Sequence, residues 1–214
     1  MTGPLDAAEL FDAVGRDYEE AFGHQPIADV AVRLLLDRLP ESARVLDIGS
    51  GTGRPVAAAL TGAGHRVLGV DVSDRMVAIA REQVPDADFV RADIREWDSA
   101  AGSWDAVCAF FSFLQMTRDE VLRLLDRGAR WLKPGGLLAV ATVPMDVEGV
   151  DTDFLGHPIR VTSFAAPDLL RHVEQAGFEV VETREAVFAP HADRPAEQQF
   201  LVLATPTPRT PPTP

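Results

Sequence analysis

Val45-Leu46-Asp47-Ile48-Gly49-Ser50-Gly51-Thr52-Gly53-Arg54-Pro55 is the stretch whose reading decides the fold. The apolar run reads as a buried strand. It leads directly into three glycines at alternate positions, and Pro55 stands where a helix would begin. Without Cβ atoms the backbone can turn tightly here and approach a ligand closely. Asp71 closes a second apolar run, 18 residues beyond Gly53. In nucleotide-binding α/β folds an acid at that point accepts hydrogen bonds from ribose hydroxyls.

The chain around this stretch alternates short β-branched runs with helical ones, the pattern of βαβ units around a parallel sheet. Upstream, the spacing of Leu10, Phe11, Val14, Tyr18 and Phe22 predicts one helix over 5–22, stopped by Gly23. A second follows over 27–39, ended by Pro40. Strands are expected at 44–48, 66–70, 88–91, 104–110 and 137–143, with helices at 55–63, 74–84 and 118–132. Lys133-Pro134-Gly135-Gly136 punctuates the last of these helices. Residues 144–162 have no clean period and read as a long loop or partial hairpin, a place where binding function often sits. A helix over 166–176 and strands at 178–188 and 199–204 complete the pattern. The loop 189–198 is too short for a crossover helix, so the last two strands are expected to pair antiparallel. Residues 205–214 hold five prolines and read as a disordered tail.

The glycine spacing bears on which nucleotide is bound. The dinucleotide fingerprint G-x-G-x-x-G is not satisfied from Gly49 or Gly51, because Arg54 and Val56 occupy the third glycine position. Asp47, just ahead of the turn, would repel a pyrophosphate at the helix N-terminus and would suit an ammonium group instead. Together these favour an amino-acid nucleoside over NAD or FAD. Asp93, after the third strand, is placed to accept a hydrogen bond from an adenine amine, with Ile94 against the ring. All three acids converge on the carboxyl end of the sheet.

Composition narrows the partners. The 214 residues suit one domain, and 46% hydrophobic with 25% charged is ordinary globular composition. A net charge of −13 with no Lys/Arg cluster argues against nucleic acid as a partner. The single cysteine, Cys108, lies in an apolar strand and reads as buried. The N-terminus lacks a signal-peptide pattern, and no apolar segment approaches the roughly 20 residues of a membrane span. We therefore expect a cytoplasmic protein with a small-molecule substrate, no nucleic acid and no membrane partner.

At this point the segments resemble class I S-adenosylmethionine-dependent methyltransferases. Val45–Gly53 looks like their first motif, Leu68–Asp71 their ribose motif, and Ala92-Asp93-Ile94 their adenine motif. Trp104–Val107 looks like the start of their fourth strand, and Leu132–Gly136 like their Leu-x-Pro-Gly-Gly turn. The resemblance spans roughly residues 10–205. It implies an α/β, Rossmann-like seven-stranded sheet, mostly parallel with an antiparallel last strand, and helices on both faces. Residues 1–40 would form an N-terminal helical lid, 41–143 the cofactor-binding core, and 144–204 the substrate side of a single domain. The implied cofactor is S-adenosyl-L-methionine. Asp47 and the backbone of Gly49, Ser50, Gly51 and Gly53 would hold its methionine portion, with Tyr18 near the carboxylate. Asp71 and Val72 would hold the ribose, while Asp93, Ile94 and Met76 would enclose the adenine. Phe110, Phe111 and Ser112 would lie beside the sulfonium.

The implied reaction is methyl transfer to an O, N or C atom of a small metabolite. His24, His157 and His191 are the candidate general bases, with Glu197 a further one. No metal site is expected. No Asn-Pro-Pro-Tyr or Pro-Cys sequence follows the fourth strand, which sets aside amino-group methylation of adenine or glutamine and cytosine C5 chemistry. Two other readings stay open: a cyclase or isomerase that binds the same cofactor without transferring methyl, and an NAD-linked oxidoreductase, which the glycine spacing opposes.

Overall fold

The computed structural model describes residues 3–189 and 196–208. In chain order its elements are α1 (Ala7–Val14), α2 (Arg16–Phe22), α3 (Pro26–Leu36), β1 (Arg44–Ile48), α4 (Val56–Gly62), β2 (Arg66–Asp71), α5 (Asp74–Gln83) and β3 (Asp88–Arg91). Then come β4 (Trp104–Phe110), α6 (Arg118–Trp131), β5 (Leu132–Thr142), β6 (Val147–Phe154), β7 (His157–Ser163), α7 (Ala166–Gln175), β8 (Phe178–Phe188) and β9 (Glu197–Pro206).

Seven strands form one sheet in the order β3-β2-β1-β4-β5-β9-β8. β9 pairs antiparallel with both neighbours, and every other strand runs the same way. The period-two alternation of each strand divides the core in two. Leu46, Ile48, Val107, Val140 and Val202 face α6 and α7. Val45, Ala106, Cys108, Ala139 and Leu203 face α3, α4 and α5. Strands buried on both faces read as continuous apolar runs, which is why β1, β4 and β5 were legible as parallel strands. The strand order reverses between β1 and β4, which opens a crevice at their carboxyl ends.

Local capping sets the helices around that crevice. Asp6 and Glu9 form a reciprocal capping box at the start of α1, and Thr117 and Glu120 do the same for α6. Ser73 caps α5 by accepting from Met76 N at 3.0 Å.

Several boundaries differ from the sequence reading. The single helix expected over 5–22 is broken in two at Gly15, whose φ of 49° is left-handed and cannot continue a helix. α3, expected within a lid, packs on α4 and on β5, β8 and β9, so it belongs to the layer covering the sheet. β5 starts at Leu132, because Leu132 already pairs with Trp104; the Pro-Gly-Gly stretch is a register shift inside the strand. Residues 147–163 form the antiparallel hairpin β6–β7. β9 runs from 197 to 206 and takes up the start of the expected tail.

Leu46, fully buried at the centre of β1, tests this core. Leu46→Ala should lower the unfolding free energy by about 2–5 kcal/mol in urea titration, because the packed sheet cannot collapse around the cavity. A loss below about 1 kcal/mol would mean the centre of the sheet is not close-packed.

Candidate functional site

The crevice is a cavity of about 930 Å³, at the upper end of the roughly 300–1,000 Å³ typical of ligand pockets. Its floor is the carboxyl ends of β1, β2 and β4. Residues 4–8, Phe11 and Tyr18 form one wall, and β6–β7 contributes Glu148, Gly149, Arg160 and Thr162.

The glycine turn is built as its sequence demands. Gly49, Gly51 and Gly53 all have positive φ. A Cβ at position 49 would stand 2.3 Å from Ser112 Cβ, so the β4 turn lies directly against it. A Cβ at position 51 would meet nothing within 4 Å, so the backbone there faces open space in the cavity wall.

Asp71 points at this turn. Its Oδ2 accepts from Gly51 N at 2.8 Å and its Oδ1 from Ser73 N at 2.9 Å. Burial raises its pKa against those N–H groups, and Asp12 raises it further. Asp47, 3% exposed, has no hydrogen-bond or ion-pair partner among the described residues. Burial first and the neighbouring Asp71 charge second push its carboxyl up to about 7. Asp71 borders the crevice and Asp47 lies buried behind the turn; burial holds both carboxyls above the ordinary range, and a bound cation would favour their ionised forms.

The structure brings most of the expected site residues together. Tyr18, Gly49, Gly51, Asp71, Val72, Met76, Asp93, Ile94, Phe110, Phe111 and Ser112 all border the cavity. Asp47, Ser50 and Gly53 do not; they stand behind the turn, with Gly53 packed under Val84 and Phe89. Asp93 is already engaged: the Arg95 guanidinium donates to both of its oxygens at 2.6–3.0 Å and holds it below the usual carboxylate range. Phe110 and Phe111 both pack beside Ile27 and Leu201, so neither is purely a core residue.

Two of the three candidate histidines stand away from the cavity. His24 is exposed between α2 and α3, and His157 pairs with Phe154 on the hairpin; neither borders the cavity. A general base must come within hydrogen-bond reach of the proton it removes, and neither ring stands at the cavity. His191 lies outside the described residues. Glu197 is also off the cavity; its Oε1 accepts from Gln199 Nε2 at 3.0 Å, and burial raises its pKa. Gln199 Nε2 also donates to Gln25 Oε1 at 2.9 Å, and the Gln25 side chain is hydrogen-bonded to Tyr18. Burial, with Asp71 and Glu197 nearby, pushes the Tyr18 hydroxyl up to about 12, so it stays neutral.

Sequence reasoning missed the clasp that holds α1 over this site. Asp12 Oδ1 accepts from Ser73 Oγ at 2.6 Å and from Arg75 N at 3.1 Å, capping α5. In return the Arg75 guanidinium donates to the carbonyls of Asp12 and Ala13 at the end of α1. A Cβ on Gly15 would fall 2.3 Å from Arg75 Nε, which gives the helix break a second reason. Ser73 links the clasp to Asp71. Ser73 was legible as a helix cap; Asp12 was not, because its partner lies 61 residues away.

Residues 45–136 match the methyltransferase-domain family. The matched stretch runs from β1 into the first residues of β5 and is less than half of the chain. It is similar to the dTDP-4-amino-2,3,4,6-tetradeoxy-D-glucose N,N-dimethyltransferase of Saccharopolyspora spinosa, 31% identical over 140 residues, 63% of this chain and 53% of that one. The chain spans about half the length of the first curated relatives it matches. Its fold is shared with the CcbJ methyltransferase from Streptomyces caelestis, TM-score 0.75 at 19% identity over 95% of this chain and 100% of that one. It is shared equally with the [4+2]-cyclase SpnF, TM-score 0.73 at 24% identity, covering 97% of this chain and 98% of that one. The stretch that matches the methyltransferase-domain model includes the glycine turn and both buried acids.

The clasp can be tested directly. Asp12→Ala should speed hydrogen exchange several-fold in residues 5–22 and leave β1 and β4 unchanged, since loss of a helix cap costs about 0.5–2 kcal/mol. Unchanged exchange in 5–22 would show that α1 is held by its apolar face alone.

Proposed function

We propose that the chain binds S-adenosylmethionine in this cavity and transfers its methyl group to a small molecule. The observation that carries the reading is the buried, cation-free pair Asp47 and Asp71 around a glycine turn that faces open space. A diphosphate would meet repulsion there, whereas an aminoacyl nucleoside brings an ammonium group and ribose hydroxyls. Asp47 supplies the field that draws the ammonium end. Asp71, whose oxygens each have one backbone donor and further lone pairs, receives the ribose hydroxyls. Ile94 and Met76 enclose the adenine. Asp93 lies at the adenine end of the cavity, its carboxylate fixed by the Arg95 backbone N–H and guanidinium, which donate to both oxygens at 2.6–3.0 Å. Tyr18, neutral and anchored through Gln25, offers its ring and hydroxyl to the methionine end.

When bound, this cofactor supplies an electrophilic methyl on a sulfonium, which leaves as a neutral thioether as an acceptor lone pair attacks in line. The protein contribution is alignment and exclusion of water, and alignment alone can supply about 7–11 kcal/mol. Phe110 and Phe111 border the cavity beside Ser112 and present aromatic surface on which a cation is favoured. The acceptor proton leaves to solvent or to the acceptor's own base. A small-molecule acceptor is supported by the enclosed crevice and by the similarity to a sugar-nucleotide N,N-dimethyltransferase. The second reading, cofactor binding without transfer, is favoured by the shared fold with a [4+2]-cyclase over nearly the whole chain. Formation of S-adenosylhomocysteine with candidate acceptors separates the two.

Asp47 sets a pH signature. Its folded pKa, about 7, lies above the unfolded value of about 3.9, so its contribution to stability is complete below pH 4 and is lost as pH rises through 7. Asp47→Asn should therefore make the ligand-free protein more stable than wild type at pH 8, with the gain vanishing near pH 4. An ammonium ligand needs the ionised form, so calorimetric affinity for S-adenosylhomocysteine should climb between pH 5.5 and 7.5 in wild type and stay flat in the variant. Stabilisation by NAD and not by S-adenosylhomocysteine would overturn the proposal.

A further inference from the structure

One end of the cavity is walled by a turn whose shape is imposed from outside it. Residues 91–97 all border the cavity. The β2–β3 ladder ends at Arg91, with one last bond from Ala92 N to Asp71 O at 2.9 Å. Asp93 then closes a short turn. Its carbonyl accepts from Glu96 N at 3.0 Å and Trp97 N at 2.9 Å, and its Oδ1 accepts from Arg95 N at 2.9 Å. A single turn held by its own bonds is marginal.

α6 supplies the missing constraint. Arg127 Nη1 donates to Ile94 O at 3.1 Å and to Arg95 O at 2.9 Å, so one nitrogen pins two consecutive peptides inside the turn. The guanidinium is itself held: it lies 4.9 Å from the centre of the Trp131 ring, and the side chain is only 15% exposed. Trp131 Nε1 donates to Asp98 Oδ1 at 2.7 Å, and its ring meets Trp97 edge-on at 5.5 Å, which ties the exit of the turn to the same helix. Arg127 does not border the cavity. It reaches the site only through the peptides it holds. The bond to Arg95 O is exposed, where water would satisfy the carbonyl as well, so the clamp adds shape more than stability.

We propose that Arg127 is a positioning residue for the nucleoside base: from α6, behind the cavity wall, it preshapes the 93–97 turn into the face that the adenine meets. The inference rests on the cofactor site proposed above, in which Asp93 and Ile94 stand at the adenine end. Held in advance, the turn loses no freedom when the base arrives. Released, it must be ordered at each binding event, and fixing one or two residues costs about tenfold or more in affinity. The planar fork of a guanidinium suits two adjacent carbonyls and a ring beneath it, whereas an ammonium is a point charge. The glycine turn and Asp71, which seat the rest of the cofactor, belong to β1 and β2 instead.

The test compares S-adenosylhomocysteine with S-ribosylhomocysteine, which has a hydroxyl in place of adenine. Affinities for the full chain are measured by calorimetry, with displacement titration for the weaker ligand. Wild type should bind the adenosyl form about a hundredfold or more tightly, the effect of burying a base-sized aromatic surface. In Arg127→Met the adenosyl form should weaken about tenfold or more, while the ribosyl form stays within about twofold of wild type. If that variant does not fold or binds neither ligand, Arg127→Lys decides by the same comparison, with a loss of about threefold or more for the adenosyl form alone. An equal loss for both ligands marks a structural role only and overturns the inference. Unchanged adenosyl affinity, or a wild type that binds both forms alike, overturns it too; each of these leaves the cofactor reading standing. Failure of S-adenosylhomocysteine to bind wild type overturns both.

Discussion

Two carboxylates buried on adjacent strands, with no ion-pair partner among the described residues, are the constraint around which this structure is arranged. Asp47 and Asp71 lie at the carboxyl ends of neighbouring parallel strands, and burial makes each harder to ionise in the folded chain, with Asp71 adding to the effect on Asp47. A protein tolerates such a pair when a positively charged, hydrogen-bond-donating ligand completes it. The glycines at 49, 51 and 53 then have a clear purpose. Their left-handed backbone leaves no Cβ in the way and carries Gly51 N to Asp71, which fixes one carboxylate while leaving lone pairs free. Asp47 receives no such help.

The parts that enclose the crevice are attached through polar contacts and an aromatic cluster. Asp12 and Arg75 cap each other's helices, and Leu5 joins the hairpin through Pro158 O and an isolated bridge to Ile159. Tyr18 and Phe22 stack with each other, and Phe22 stacks on Phe154 of the hairpin, with Phe11 edge-on to Tyr18. Small helices and a two-stranded hairpin are marginal alone, so their mutual packing holds the wall together.

Much of this fold is legible in the chain because its signals are local. Strand alternation and apolar runs place β1 to β4 within a residue, and the Thr117-x-x-Glu120 pattern marks the start of α6. The misreadings are places where a local signal was overruled. Gly15 looked tolerable inside a helix, but Arg75 from α5 occupies the space a continuous helix would need. Pro134 to Gly136 looked like a terminator, but Lys133 bonds to Asp105 at 2.8 Å and Trp104 pairs with Leu132, so the strand starts before it. The histidines carried a chemical signal without a positional one, and residue type alone does not say which face of a loop meets a cavity.

The sequence by itself determined the parallel core, the glycine turn with its departure from the dinucleotide spacing, and the acids at the carboxyl ends of β1 and β2, because each depends on residues within one βαβ unit. Tertiary structure alone decided which groups remain unsatisfied at the site. Gln115 meets Leu5 across 110 residues, Asp12 meets Ser73 across 61, and Gln199 meets Gln25 across 174. A hydrogen bond forms within about 3 Å or not at all, and spacing along the chain carries no information about distances of that kind.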